Sequence, residues 1–482
     1  MTTWESVIGI EVHVELGTAS KMFCGCPVVF GDQPNTAVCP TCLGLPGALP
    51  VTNGTAIEWL ARIGLALHCQ IAPFSVFHRK NYFYADVPKN YQISQFDLPL
   101  CVDGWLDVTV DGEEIRVGIE RAHMEEDTGK SLHQGSGGRI HAATSTLLDF
   151  NRSGVPLVEI VSRPDLRSAA QARAYAQDLR AVVAELGVSD ARMEEGSIRF
   201  DANVSVRPVG DTELGTKVEI KNMNSFRSLE RAIASEIDRQ VGVLEEGGVV
   251  IQETRHWDEE AGATKGMRTK EGSSDYRYFT EPDLVPLEML ASTVDKVRAD
   301  LPELPADRRQ RFGDLGLDSP LASVLSGSGP DLRRVFDEAV ALGADPVMSA
   351  NWITGEVTAA FRRAETATAE VRIKGSDLAE LVMMVKEGIL SSSAAKEALS
   401  GVMAGEGSPR VVAEARDLMQ VSDEGLIGEA IDQVLAANVE AIERFRGGEE
   451  KVLGFLVGQV MRATGGKADP KLVNALLRQR IT

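Results

Sequence analysis

The chain has 482 residues, 43% of them hydrophobic, and a formal net charge of −21 at pH 7. That supplies enough apolar material for about three domains, while the acidity argues against simple, unassisted nucleic-acid binding and suits a protein whose partners or metal ions bring positive charge. No apolar run of about 18 residues is present, and the opening MTTWESVIG enters a strand pattern without a charged leader or apolar signal region, so a cytoplasmic protein without membrane spans is expected.

Residues 8 to 16, IGIEVHVEL, alternate strictly. Ile8, Ile10, Val12, Val14 and Leu16 form one face of the strand, and Glu11, His13 and Glu15 the other. That polar face fits either plain solvent or a site. Next, Cys24, Cys26, Cys39 and Cys42 stand as C-x-C-x12-C-x2-C, with Pro40 and Gly44 shaping the second pair into a knuckle. Four thiolates so spaced can close a tetrahedron around structural Zn2+ and leave no open position for catalysis. Two disulfides or four unrelated thiols are the competing readings, the first disfavoured in a reducing compartment. Cys69 and Cys101 lack such spacing and are expected as small buried residues.

HRKNYFYADVPKNYQISQFD, residues 78 to 97, interleaves Arg79, Lys80 and Lys89 with Tyr82, Tyr84 and Tyr91. It reads equally as a basic wall of a site or as a core-plus-surface strand. HMEEDTGKS, residues 123 to 131, crowds Glu125, Glu126 and Asp127 together. Its TGKS is no phosphate-binding P-loop, because Met124 stands where the first glycine belongs and the flanks are acidic. VPLVEIV, residues 155 to 161, buries Glu159 in an apolar run, which is costly unless a cation meets it. With Glu11, Glu15 and Glu159, these carboxylates supply the oxygens Mg2+ prefers, and a carboxylate-held Mg2+ can serve ATP without a P-loop.

Further strands, SIRFDANVSVRP and KVEIKNMNSF, again oppose an apolar face to a polar one that includes Arg199, Arg207, Lys217 and Lys221. Asn224 or Ser225 can cap the helix that follows. Several strands with matching polar faces imply one sheet whose concave side is a site. All cysteines, histidines and tyrosines lie at or before position 278, and from about 290 the spacing turns helical. The expected class is α+β, with a cradle domain over 1–290, a helical domain over 291–408 and a tail domain over 409–482.

IGIEVHVEL, CPTCLGLPGALPVTN, RKNYFYADVPKNYQISQFD, HMEEDTGKS, VPLVEIVSRPD, MEEGSIRFDANVSVRP, EIKNMNSF and DYRYFTEPDLVP together resemble the B subunits of the aspartyl/glutamyl-tRNA(Asn/Gln) amidotransferases. ANWITGEV and GGKADPKLVNALL carry the resemblance into the helical and tail parts. It implies a glutamine-synthetase-like antiparallel cradle that binds ATP and the aminoacyl end of tRNA, followed by two helical parts. It also implies an activity, a ligase that phosphorylates the side-chain carboxylate of Glu on tRNA(Gln) or Asp on tRNA(Asn). Ammonia from an amidase A subunit then displaces phosphate, and a small C subunit belts the two together.

By motif position, His13, Glu126 and Glu159 resemble the family's Mg2+ ligands, with Glu11 beside them, and Lys80 and Lys89 resemble residues lining the ammonia route and phosphate side. Arg207, Lys217 and Arg277 are the basic residues expected at the ATP. Thr280 and His256 depart from the family pattern, at positions where proline and arginine are usual. An ATP-dependent amide ligase for a free small acid and a non-catalytic RNA-binding scaffold are the alternatives. The first would need its own glutaminase, for which no Cys-His or Ser-Lys arrangement is evident, and the second has no use for Glu159.

Charge marks the end of the chain. From 411 to 450 three basic residues face ten acidic ones, whereas from 451 to 482 six basic residues face Asp469 alone. Asp469 and Pro470 suit a helix start, Leu472, Val473, Leu476 and Leu477 its inward stripe, and Lys471 and Arg478 its outer face. Lys467, Lys471 and Arg478 are the expected tRNA contacts, against the plainer reading of a solvated helix.

Overall fold

The computed structural model describes residues 3–135, 143–269, 276–367, 373–420, 424–465 and 468–481. Its alternating segments become β1 (Trp4–Glu15), β2 (His78–Asn81), β3 (Tyr91–Ser94), β4 (Glu113–Glu126), β5 (Pro156–Ser162), β6 (Ile198–Pro208), β7 (Val218–Lys221), β8 (Glu253–Asp258), β9 (Ala263–Thr269) and β10 (Phe279–Thr280). These lie in the order β9-β8-β7-β6-β1-β5-β4-β3-β2-β10 within a 12-stranded sheet. Pairing is parallel between β7 and β8 and antiparallel along the rest of that path.

The two faces of this sheet have different fates because the side-chain period is two. Ile8, Ile10, Val12 and Val14 of β1 are buried with Val158 and Ile160 of β5 and Phe200, Ala202 and Val204 of β6. Three helices contribute to the same core: α1 (Gly54–Ala66) with Leu60 and Ile63, α2 (Ala169–Glu185) with Tyr175 and Leu179, and α3 (Phe226–Glu245) with Leu229 and Ile233. Each of these side chains stabilises the fold by about 1.5–3 kcal/mol when it leaves water. The helices start where side chains satisfy their free amides. Asn53 accepts from Thr55 and Ala56, Ser168 from Gln171, and Ser225 from Ser228, each cap contributing about 1 kcal/mol. The opposite face of the central strands carries ionisable groups and is left to form a cleft.

The chain divides into two compact units, Met1–Ala306 and Asp307–Thr482. The first also holds α4 (Ala291–Ala299), which packs against α1 and buries Val297. The second has no strand among its described residues. It contains one hydrophobic cluster that includes Phe312, Phe336, Leu378, Leu399 and Val412, and another that includes Ile427, Leu456, Val473 and Leu477. The class is thus α+β, as expected. After Thr128 and Gly129 the chain runs into a strand, Lys130–Gln134, paired with Ser145–Asp149. TGKS therefore opens no helix, and the phosphate-cradling geometry of a P-loop is missing. Among the described residues no helix is long and apolar enough to cross a membrane.

Candidate active site

Antiparallel register places partners on the same face. Across β6, β1, β5 and β4 it lines up Arg199, His13, Glu159 and His123 in one row. Two residues along β4, Glu125 joins that face. One ligand atom each from His13, Glu125 and Glu159 lies within 4.8 Å of the others. His123 Nε2 sits between the two carboxylates, 3.4 Å from Glu125 Oε1 and 3.3 Å from Glu159 Oε2. Glu11, two residues along β1, accepts from Asn203 Nδ2 at 2.8 Å. The cleft has a volume of about 510 Å³, and Lys80, Lys221, Arg121, Tyr276 and Tyr278 also line it.

Two carboxylates and an imidazole converging on one point make a donor set that fits Mg2+ completed by water and phosphate oxygens, although imidazole is an uncommon ligand for it. The electrostatics agree with a site built for charge. Burial disfavours ionisation of Glu159, yet His123, His13 and Lys80 hold its carboxyl well below the usual range. Glu125 is likewise held down by Lys80 and His123 against its burial. Burial disfavours the charged form of His123, but the two carboxylates push it up to about 9. Lys80, opposed by the same burial, is kept charged chiefly by Glu125. The group is a balanced array of buried ions.

Glu126 is not part of it. Alternation along β4 turns Glu126 to the other face, where it pairs with Lys89 and accepts from the Ile93 amide at 2.8 Å. Of the expected Mg2+ trio the structure therefore gathers His13 and Glu159, and it sets Glu125 in the third place. Lys89 and Glu126 line a separate cavity of about 200 Å³ together with Cys24, Cys42, Gly44 and Tyr91. Gln92 Nε2 donates to Glu125 Oε2 at 3.0 Å and to the Glu126 main-chain carbonyl at 2.6 Å, and Tyr82 donates to Gln92 Oε1 at 2.9 Å. Gln92 thus fixes the Glu125 carboxylate against the strand's own backbone, with Lys80 Nζ 3.9 Å from that carboxylate.

The four cysteines converge as their spacing predicts, with their sulfurs within 4.8 Å of one another. Cys39 and Cys42 Sγ are 3.9 Å apart, close to the about 3.8 Å edge of a tetrahedron with 2.3 Å zinc–sulfur bonds. The residues present fit a structural Zn2+. Behind them Lys21, fully buried, reaches Cys42 Sγ at 3.8 Å and the Phe150 carbonyl at 3.2 Å. Hydrogen bonding with Cys24, working against burial and aided by Lys21, brings the Cys42 thiol down to about 5. Cys69 and Cys101 are buried elsewhere in the core.

With this geometry in place, two domain families match the chain. A GatB/GatE catalytic domain covers residues 6–295, and a GatB domain covers residues 334–481. The B subunit of the aspartyl/glutamyl-tRNA(Asn/Gln) amidotransferase of Moorella thermoacetica is 52% identical over 99% of this chain and 100% of its own length. The B subunits of Picosynechococcus and Frankia casuarinae are 48% and 50% identical, over 100% of this chain and 98% and 96% of theirs. The chain belongs to the GatB family.

In this GatB family member the remaining expected residues scatter. Arg207 pairs with Glu5 at 2.7 Å, six residues along β6 from Asp201, the partner of Glu11. That is about 20 Å from the cleft row at strand spacing. Lys217 is exposed ahead of β7. Arg277 is exposed between Tyr276 and Tyr278, with φ +45. Neither is among the residues lining the cleft, whereas Lys221 is, 2.6 Å from Asp201. In the tail, Asp469 Oδ1 accepts from the Lys471 amide at the start of the helix Pro470–Ile481, Val473 and Leu477 are buried, and Lys471 and Arg478 are exposed. Lys467 lies outside the described residues. Sequence reasoning counted Glu125 among the oxygens available to Mg2+ and placed Lys221 on a polar strand face, but it put Glu126 rather than Glu125 in the metal set and gave His123 and Gln92 no role. For His123 and Glu125 the signal was present, since Arg121, His123 and Glu125 alternate as Glu11 and His13 do.

Proposed function

We propose that the cleft of the first unit phosphorylates the side-chain carboxylate of Glu on tRNA(Gln), or of Asp on tRNA(Asn), and then hands the acyl group to ammonia. The observation that carries this reading is the convergence of His13, Glu125 and Glu159 beside Lys80 and Lys221, on a chain of the GatB family. A carboxylate becomes an acyl donor to ammonia only once one oxygen is a phosphate leaving group. The substrate carboxylate oxygen attacks the γ-phosphorus of ATP and ADP departs; ammonia then attacks the acyl carbon and inorganic phosphate departs. Phosphoryl transfer needs positioning and charge neutralisation more than a protein nucleophile.

Mg2+ held by His13, Glu125 and Glu159 would supply the charge that gathers the phosphates. The lysines Lys80 and Lys221 supply further positive charge from the chain itself, and His123, within reach of both Glu125 and Glu159, orients their carboxylates. Lys89 and Glu126 lie on the ammonia side, on the opposite face of β4 from Glu125. The functional division is a cradle over 1–290, a helical part over 291–408 and a tail over 409–482 that grips tRNA through Lys467, Lys471 and Arg478. In the cytoplasm this chain works with an amidase A subunit and a small C subunit, with Zn2+ in the knuckle.

Glu159→Gln tests the reading in the full complex. ATP cleavage that depends on misacylated Glu-tRNA or Asp-tRNA should vanish, while glutamine hydrolysis persists. Unchanged amidation in that variant would overturn the assignment.

A further inference from the structure

The cysteine knuckle and the Lys89–Glu126 pair share one cavity wall. Cys24 and Cys42 line the same cavity of about 200 Å³ as Lys89, Glu126 and Gly154. Gly44, two residues past Cys42, has φ +68, and a Cβ there would overlap Lys89 Cγ and come within 3.1 Å of its Cα and Cβ. Both the left-handed backbone and the close approach require glycine at this position. Phe23, next to Cys24, presents its ring centroid 6.0 Å from Lys89 Nζ, and Tyr91 closes the other side at 5.2 Å. The Glu126 end of the pair is packed less tightly: a Cβ on Gly154, also at positive φ, would lie at ordinary contact distance, 3.6 Å from Cys42 Cβ and 3.9 Å from Glu126 Oε2.

Both halves of the cysteine motif thus touch Lys89, one through Phe23 and one through Gly44, and Glu126 is reached through its ion pair with Lys89. The Lys89 and Glu126 side chains are only 8% and 5% exposed, so neither has room to keep its place if these walls move. Closing the four thiolates on a metal fixes the relative position of the two cysteine pairs. A buried ion pair is worth its desolvation only in good geometry.

We infer that the zinc knuckle is a positioning element for Lys89 and Glu126, with Gly44 as the positioning residue, so that metal occupancy controls the ammonia side of the reaction and leaves the phosphorylating cleft on the opposite face intact. The link to ammonia rests on the function proposed above. The link from knuckle to Lys89 rests on contact alone.

The test uses the full complex, intact and after chelator removal of zinc, with the variants Gly44→Ala, Cys39→Ser and Lys89→Met. Hydrogen exchange over residues 87–93 reports on the Lys89 segment and exchange over 156–162 on the cleft. The ratio of glutamine-driven to ammonium-driven amidation reports on ammonia delivery, and a chelating dye measures zinc. Zinc removal and Cys39→Ser should raise exchange over 87–93 about tenfold and leave 156–162 unchanged. Gly44→Ala should retain zinc, yet lower the glutamine-to-ammonium ratio by about fivefold or more. Wild-type protection of 87–93 in zinc-free complex, together with a wild-type ratio in Gly44→Ala, overturns the inference. A wild-type ratio in Lys89→Met instead sinks the ammonia reading, and the exchange data then still decide whether the knuckle positions Lys89. If Gly44→Ala fails to fold, exchange and nitrogen-source ratio in the chelated wild-type complex decide the question in its place.

Discussion

Glu125 and Glu126 are neighbours in the chain and belong to different chemistries. Glu125 faces the cleft, among His123, Ser94, Gln92 and Lys80. Glu126 faces the cysteine knuckle and pairs with Lys89. Both are buried, and both sit at the end of one strand. What separates them is the pleat, which sends successive side chains through opposite faces of a sheet. One face then gathers groups suited to phosphate and metal, and the other sets the Lys89–Glu126 pair against the four-cysteine loop. The sheet itself becomes a partition.

The largest expected effect breaks this comparison directly. Glu125→Gln should lower ammonium-driven amidation about 1000-fold, because it removes a charged oxygen donor from the point where phosphate charge is gathered. Glu126→Gln should leave the ammonium-driven rate within about threefold of wild type and weaken the glutamine-driven rate instead. Amidation assays of the two variants, with each nitrogen source, measure both effects. Equal loss of ammonium-driven activity in the two would mean that the faces are not separate in function.

A smaller effect concerns a second contrast, between the charge-balanced cleft and the basic end of the tail. Lys471→Glu with Arg478→Glu should raise the Michaelis constant for aminoacyl-tRNA about tenfold and reduce the steepness of its salt dependence by about 1–2 in log–log slope, as loss of two phosphate contacts predicts. ATP-dependent phosphorylation at saturating tRNA should persist. A wild-type salt slope in this variant would leave the helix with packing as its role, carried by Val473 and Leu477.

Much of this was legible in the sequence. The period of two in IGIEVHVEL and VPLVEIV gave the row of His13 and Glu159, and C-x-C-x12-C-x2-C gave the four-cysteine cluster. The same period applied to RAHMEEDT separates Glu125 from Glu126 once the strand is known to continue through 126, yet nothing in three adjacent acids shows that the strand runs on into them. Arg207 and Lys221 show the opposite difficulty. Each lies on a polar strand face, but distance along the strand decides which reaches the cleft. That distance depends on register between segments far apart in sequence, which turn geometry and core packing set together. Gln92 carries no signal at all, since its role arises from where β3 stops pairing with β4.

The smallest expected effect separates Glu15 from Glu11 and His13 on the same face of β1. Glu15 lies two residues beyond His13, among Asp127, Arg199 and Arg152. Burial, followed by the Asp127 charge and hydrogen bond, pushes its carboxyl up to about 8, from an ordinary value of 4.5. Between those values the folded chain holds a proton that the unfolded chain releases, so this contribution to stability is complete below pH 4.5 and is lost as pH rises through about 8. Gln at this position keeps the hydrogen-bonding shape and does not titrate. Glu15→Gln should therefore match wild type in unfolding free energy near pH 5 and exceed it by about 1–3 kcal/mol at pH 8.5, as chemical denaturation at the two values would show. A difference that stays constant between them would mean that Glu15 is ionised in the fold at both, and that the two guanidinium groups, rather than a shared proton, hold the Glu15–Asp127 pair together.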